Sequence, residues 1–90
     1  MKKISNYQAR FEDECADDIR KARKKRELIV RLNKKIGEIL ENPHHYKTLR
    51  NVLKNRCRVR IGSFVLIFEI DEDNRLVVFN SFKHHNEAYE

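Results

Sequence analysis

The chain opens on a short alternation. Tyr7, Ala9 and Phe11 are apolar, and Gln8 and Arg10 between them are polar, which is the period of a strand with one buried face. From Phe11 the period lengthens, and Phe11, Cys15, Ile19 and Ala22 fall at helical spacing. Glu12, Asp13, Glu14, Asp17 and Asp18 crowd the first turns, and Arg20 to Arg26 carry the end, as a helix dipole favours. A second helix is predicted from about Glu27 to Glu41. Leu28, Leu32, Ile36 and Ile39 make its stripe, and Ile29 and Leu40 widen it. Gly37 costs that helix about 1 kcal/mol relative to Ala, and its missing side chain would let another element pack closely. Asn42-Pro43 stops the helix, because a residue before proline avoids the α region. Joined near Lys24-Lys25, the two helices predict an antiparallel hairpin with one apolar side.

After a loop from His44 to Asn55 the period drops to two. Cys57, Val59 and Ile61 point one way and Arg56, Arg58 and Arg60 the other. Gly62-Ser63 reads as a tight connection. Phe64 to Ile70 is nearly continuous apolar sequence, as in a central strand covered on both faces. Asp71-Glu72-Asp73-Asn74 reads as a hairpin turn, since Asn and Asp tolerate the backbone angles needed there. A last strand runs from Leu76 to Phe79 and ends near Phe82. The order is β-α-α-β-β-β. It predicts an α+β fold: an N-terminal strand, then an antiparallel helical hairpin packed on one face of a small twisted antiparallel sheet. The arginines lie on the other face. A chain of 90 residues without a linker or repeat is expected to be one domain. Burying roughly 60–65% of its unfolded surface, it has little room for an internal cofactor, and none is expected.

Charge changes the picture more than composition does. Residues 1–41 hold twelve Lys/Arg and eight Asp/Glu, residues 42–62 six and none, and residues 63–90 two and six. The net charge of +6 is thus concentrated, which suits a polyanionic partner. A solvated surface that keeps the protein soluble is the alternative. Cys15 and Cys57 sit at apolar-phase positions and read as small buried hydrophobes rather than a disulfide. No apolar leader or membrane-length run is present, so a cytoplasmic protein with reduced thiols and no membrane partner is expected.

Two segments could carry chemistry. In Lys54-Asn55-Arg56-Cys57-Arg58-Val59-Arg60 the alternation sets three guanidiniums along one sheet face, about 6.5–7 Å apart. That spacing is close to the phosphate repeat of an extended nucleic-acid strand, and arginine grips phosphate with a planar fork. The same row would also serve as a solvated edge strand that resists aggregation. The second segment is Lys83-His84-His85-Asn86-Glu87-Ala88-Tyr89. A histidine beside a basic surface could move a proton to or from RNA, although a terminal His pair is often an incidental end. No metal is expected: adjacent histidines diverge on regular backbone, and HxxxH and CxxC spacings are absent. His44-His45 reads as loop.

These residues, taken in order, resemble the RelE/ParE superfamily from about Phe11 to Tyr89. The markers are Glu38-Ile39-Leu40-Glu41-Asn42-Pro43 closing the helical hairpin, then Lys47-Thr48-Leu49. Arg58-Val59-Arg60-Ile61-Gly62 follows, running into Ser63-Phe64-Val65-Leu66-Ile67-Phe68-Glu69-Ile70, and last His84-His85-Asn86-Glu87-Ala88-Tyr89. The resemblance implies a toxin of a toxin–antitoxin system that cleaves mRNA on the ribosome without metal and is neutralised by a cognate antitoxin protein. Carried over by position, Arg58 and Arg60 match a basic pair, Tyr89 a late aromatic, and His84 and His85 a His-Arg ending. Lys54, Arg56 and Lys83 would add RNA contacts. One departure is plain: Val65 stands where many members have an arginine.

On this reading His85 or His84 is the general base for the ribose 2′-OH. Arg58 and Arg60 stabilise the phosphorane charge, and Tyr89 stacks on or orients a base. The alternative, favoured by Val65, is a ParE-like protein that inhibits DNA gyrase without nuclease activity. A plain nucleic-acid-binding module is a third reading.

Overall fold

The computed structural model describes residues 7–46 and 56–87. The elements follow in the expected order: β1 (Gln8–Phe11), α1 (Asp13–Lys21), α2 (Arg26–Glu41), a single 3-10 turn (Pro43–His45), β2 (Arg56–Ile61), β3 (Phe64–Asp71) and β4 (Leu76–His84). The four strands form one sheet in the order β1-β4-β3-β2. β2, β3 and β4 are antiparallel, whereas β1 lies parallel to β4. The sheet is therefore mixed rather than antiparallel throughout. Hydrophobic period reports which face a residue takes and is silent on strand direction.

α1 ends earlier than its charge run suggested, and Ala22 to Lys24 form the turn into α2. Phe11, expected to start the helical stripe, belongs to β1. It stacks on Phe79 with ring centroids 5.0 Å apart. Asp13 and Glu14 lie in the first turn of α1, and Arg20 and Lys21 in its last, in keeping with the dipole. α2 starts at Arg26 with no side-chain cap. Its Leu32 and Ile39 are fully buried, with Leu28, Ile29, Ile36 and Leu40 packed beside them. Gly37 does not serve close packing: a Cβ built there meets nothing within 4 Å.

One core unites both helices with one sheet face. Cys15 and Ala22 of the α1 region and Leu32 and Ile39 of α2 meet Cys57, Val59, Ile61, Leu66, Phe68, Val77, Phe79 and Phe82. Val65 and Ile67 are also buried, yet stand outside that cluster, because they point to the opposite face. Cys15 and Cys57 are free and buried, and burial pushes the Cys15 thiol up to about 12 and raises Cys57. Neither is suited to act as a nucleophile.

Two irregularities decide the geometry that follows. The β2–β3 turn is the two-residue Gly62-Ser63 link, with Gly62 at φ +61°, the left-handed angle that a tight hairpin requires and glycine supplies. In β4 the register slips: Ile67 pairs with Ser81 but Phe68 with Phe79, so Asn80 is the extra residue of a bulge. The bulge re-phases the strand. Val77 and Phe79 face the core before it, and Phe82 faces the core after it. β4 also runs on to His84, past the expected end near Phe82. At the β3–β4 turn the left-handed residue is Arg75, at φ 53°, not one of the Asn or Asp residues that the turn chemistry favoured.

Candidate nucleic-acid interface at one end of the sheet

The register places the predicted site residues. Arg60 lies opposite Val65, which lies opposite Lys83, and Arg58 lies opposite Ile67 and Ser81. These positions share the sheet face turned away from the helical core. Arg58 and Arg60 are exposed and roughly 6.6 Å apart along the strand. Arg56 is partly spent, with its Nε 3.6 Å from Glu69 Oε1. Arg60 Nε donates to the Gly62 carbonyl at 3.3 Å, which holds its side chain at the β2–β3 turn. Val65 is only 3% exposed, so an apolar residue sits in the middle of the Arg60–Lys83 row.

Lys83 does not join the arginines as a free cation. Its Nζ is 2.8 Å from Asp18 Oδ1 and 3.2 Å from Glu14 Oε2, and these partners raise its pKa. The reason lies in the sheet edge. β1 pairs with β4 only as far as Phe79, so the rest of that edge needs other partners for its backbone groups. Asp18, buried on α1, accepts the Phe82 N–H at 3.0 Å, and Lys83 neutralises the carboxylate this brings in. Sequence reading placed Asp18 among the acids that crowd the first turns of α1. Its burial could have been suspected from its position between the stripe residues Cys15 and Ala22.

The bulge sets the phase in which β4 ends. His84 falls in the core phase, opposite Phe64, with the rings 5.7 Å apart edge to face. It lines an open cleft of about 460 Å³ together with Phe64, Phe82, Lys21 and Lys25. His85 lies just past β4, in the turn that follows it. Its backbone N–H donates to the Ser63 carbonyl at 2.8 Å, and its Nδ1 lies 3.3 Å from the same oxygen. A carbonyl only accepts, so Nδ1 carries the proton and Nε2 of the neutral ring is bare. His84 Nδ1 instead accepts the Asn86 N–H at 3.3 Å, which leaves its proton on Nε2. The two rings are 4.6 Å apart. A hydrogen-bond acceptor and a hydrogen-bond donor thus stand side by side at the end of β4. Lys54 and Tyr89 lie outside the described residues.

His44, read as plain loop, is engaged. It pairs with Glu72, and both meet the Tyr7 hydroxyl, which donates to Glu72 at 2.9 Å and accepts from Arg75 at 3.1 Å. This cluster ties the turn after α2 to the far end of the sheet, away from the histidine pair.

A helical hairpin on a four-stranded mixed sheet, with arginines on the far face and a polar strand end beside them, defines a RelE-like toxin fold. The family pattern described as ParE toxin of type II toxin–antitoxin system, parDE, matches residues 9–89, and the chain belongs to that family, within the RelE/ParE superfamily. A Methanocaldococcus jannaschii protein assigned as toxin RelE4 is 53% identical over 57 residues, a stretch covering 62% of this chain and 61% of that relative. Among solved structures, the RelBE2 toxin–antitoxin complex of Mycobacterium tuberculosis superposes with a TM-score of 0.76 at 25% identity, over 91% of this chain and 100% of the other. YafQ from E. coli superposes at 0.75 and 14% identity, over 93% and 99%. The archaeal RelE–RelB complex from Pyrococcus horikoshii superposes at 0.70 and 12% identity, over 92% and 99%. These two are likenesses of fold. Among the described residues no helix is long and apolar enough to cross a membrane.

Proposed function

We propose that this toxin is a metal-independent endoribonuclease that cuts mRNA on the ribosome and is held in check by a cognate antitoxin. The observation that carries the reading is the His85 ring: its Nδ1 is fixed on the Ser63 carbonyl and its Nε2 is left bare, at the same β2–β3 turn whose Gly62 carbonyl holds Arg60. His85 Nε2 takes the proton of a ribose 2′-OH. The 2′-oxygen attacks the adjacent phosphorus, and the bond to the 5′-oxygen breaks. The departing oxygen takes a proton from water. The products are a 2′,3′-cyclic phosphate and a 5′-OH. Arg58 and Arg60 stabilise the charge of the phosphorane. Tyr89, by resemblance, stacks on a base.

The test is primer extension on cellular mRNA after induction. His85→Ala should leave the fold intact, since the residue is exposed, and should slow cleavage about 10²–10⁴-fold, the usual worth of a positioned base. Cleavage at the wild-type rate would remove His85 from the mechanism. A second reading, gyrase inhibition without cleavage, is favoured by buried Val65 where many relatives hold arginine, and by the ParE description of the family. It predicts intact mRNA and loss of DNA supercoiling as the first lesion.

A further inference from the structure

α2 and β2 meet along a groove of about 280 Å³ lined by Arg31, Lys34, Lys35, Glu38, Arg60 and Ile61. Its one acid, Glu38, is already engaged by Lys35 at 3.1 Å. Glu27, four residues before Arg31, is spaced to be an ordinary helical partner for it. The Arg31 guanidinium instead reaches across to the β2–β3 turn, where a Cβ on Gly62 would meet its Nη1 at 3.4 Å. That turn is the one whose Gly62 carbonyl holds Arg60 and whose Ser63 carbonyl holds His85. Cations from a helix and a strand therefore converge next to the proposed base. Convergence of like charges is unfavourable unless an anion joins them. An arginine fork, an ammonium and a second guanidinium together suit the non-bridging oxygens of a phosphodiester.

We propose that Arg31 and Lys34 form a second phosphate subsite, with Arg60 shared between it and the cleaved phosphate, which holds the single-stranded RNA backbone at the neighbouring phosphodiester. This rests on the nuclease reading and extends it: the RNA path leaves the arginine face and turns over the edge of β2 towards α2. The site is invisible to periodicity, because Arg31 and Lys34 lie on the polar side of a helix whose apolar stripe alone is patterned.

The probe is a short 2′-O-methylated oligoribonucleotide, which has no 2′-OH to react and so reports binding alone. Its affinity is measured against salt for the wild type, for Arg31→Gln/Lys34→Gln, and for Lys34→Arg. All three are compared by thermal unfolding, since both positions are exposed. The double variant should bind roughly tenfold more weakly and flatten the slope of log affinity against log salt by about 1. Lys34→Arg should keep the slope. An unchanged slope in the double variant overturns the subsite. So does loss of binding to an acidic peptide with RNA binding intact, which would make the groove a protein-docking surface. The nuclease reading fails separately, through cleavage by His85→Ala, and that outcome leaves the slope measurement standing.

Discussion

The two ends of the sheet treat charge in opposite ways. At the β3–β4 turn nearly every ionised group has a partner. Glu72 meets Tyr7, His44 and Arg75, Asp71 meets Asn74, and Glu69 meets Arg56 and Asn80. Hydrogen bonds from Asn74 and from Tyr7 hold the Asp71 and Glu72 carboxyls below their usual range. At the β2–β3 turn Arg31, Lys34 and Arg60 gather beside His85, and the neighbouring cleft adds Lys21 and Lys25, with far fewer acids to meet them. Paired charges of this kind fix loops and turns. A surplus of one sign around proton-transfer groups serves the fold poorly and suits an anionic ligand. The polarity of the molecule thus separates the end that holds the chain together from the end proposed to bind RNA.

The sharpest way to break that comparison is through its exception, the Asp18–Lys83 pair, which is a structural charge at the ligand end. Asp18 is 7% exposed and holds both the Phe82 N–H and Lys83. Asp18→Ala would orphan the Phe82 N–H and leave Lys83 with Glu14 alone, and should cost about 2 kcal/mol in urea unfolding. A cost near zero would mean the edge of β4 needs no such partner. The pH dependence has a definite sign. The pKa of Lys83 is raised in the folded state, so its contribution is full below its ordinary value of 10.5 and is lost as pH rises through the higher folded value. Burial of the Cys15 thiol acts in the same direction, from its ordinary 9.0 towards about 12. Asp18→Ala should therefore flatten the alkaline limb of the stability curve.

How much of this was legible in the sequence follows from what periodicity encodes. The alternation of Arg56 to Ile61 and the stripe of α2 place every side chain on the correct face, because burial acts on each residue independently. The bulge at Asn80 left no such trace. A strict period of two from Phe79 sends His84 to the arginine face, whereas the bulge returns it to the core phase beside Phe64. Lys83 looked like an RNA contact because no local pattern announces that α1 will lay Asp18 against the open edge of β4. Arg31 and Arg60 are far apart in the chain, and only the packing of α2 on β2 brings them to one groove. The hydrophobic pattern carried the order of the elements, and the late histidines stood out by residue type, while the parallel pairing of β1 left no trace. The place of His84 depended on the inserted residue.

At the paired end the expected effects are smaller. Tyr7→Phe removes one hydroxyl from the Glu72–His44–Arg75 cluster and should cost about 1 kcal/mol. Its hydrogen bond to Glu72 is the largest cause of that carboxyl's lowered pKa. A carboxylate lowered in the folded state stabilises above its ordinary value of 4.5, and that contribution is lost as pH falls through the lower folded value. Acid unfolding of Tyr7→Phe should accordingly begin at higher pH than in the wild type, while RNA binding is unchanged. Weaker RNA binding in this variant would mean that the two ends are coupled and the division of labour is wrong.

The smallest change gives the cleanest control. Gly37 sits mid-helix on the exposed side of α2, and a methyl group there touches nothing within 4 Å. Gly37→Ala should raise stability by about 0.5–1 kcal/mol, by removing chain entropy from the unfolded state and improving helix propensity. It shares a helix with Arg31 and Lys34 yet adds no charge and fills no groove. The salt slope for RNA should therefore match the wild type even as the unfolding midpoint rises. If stiffening α2 alone altered that slope, helix order would be contributing to RNA affinity, and slope changes at Arg31 and Lys34 could not be assigned to their charges.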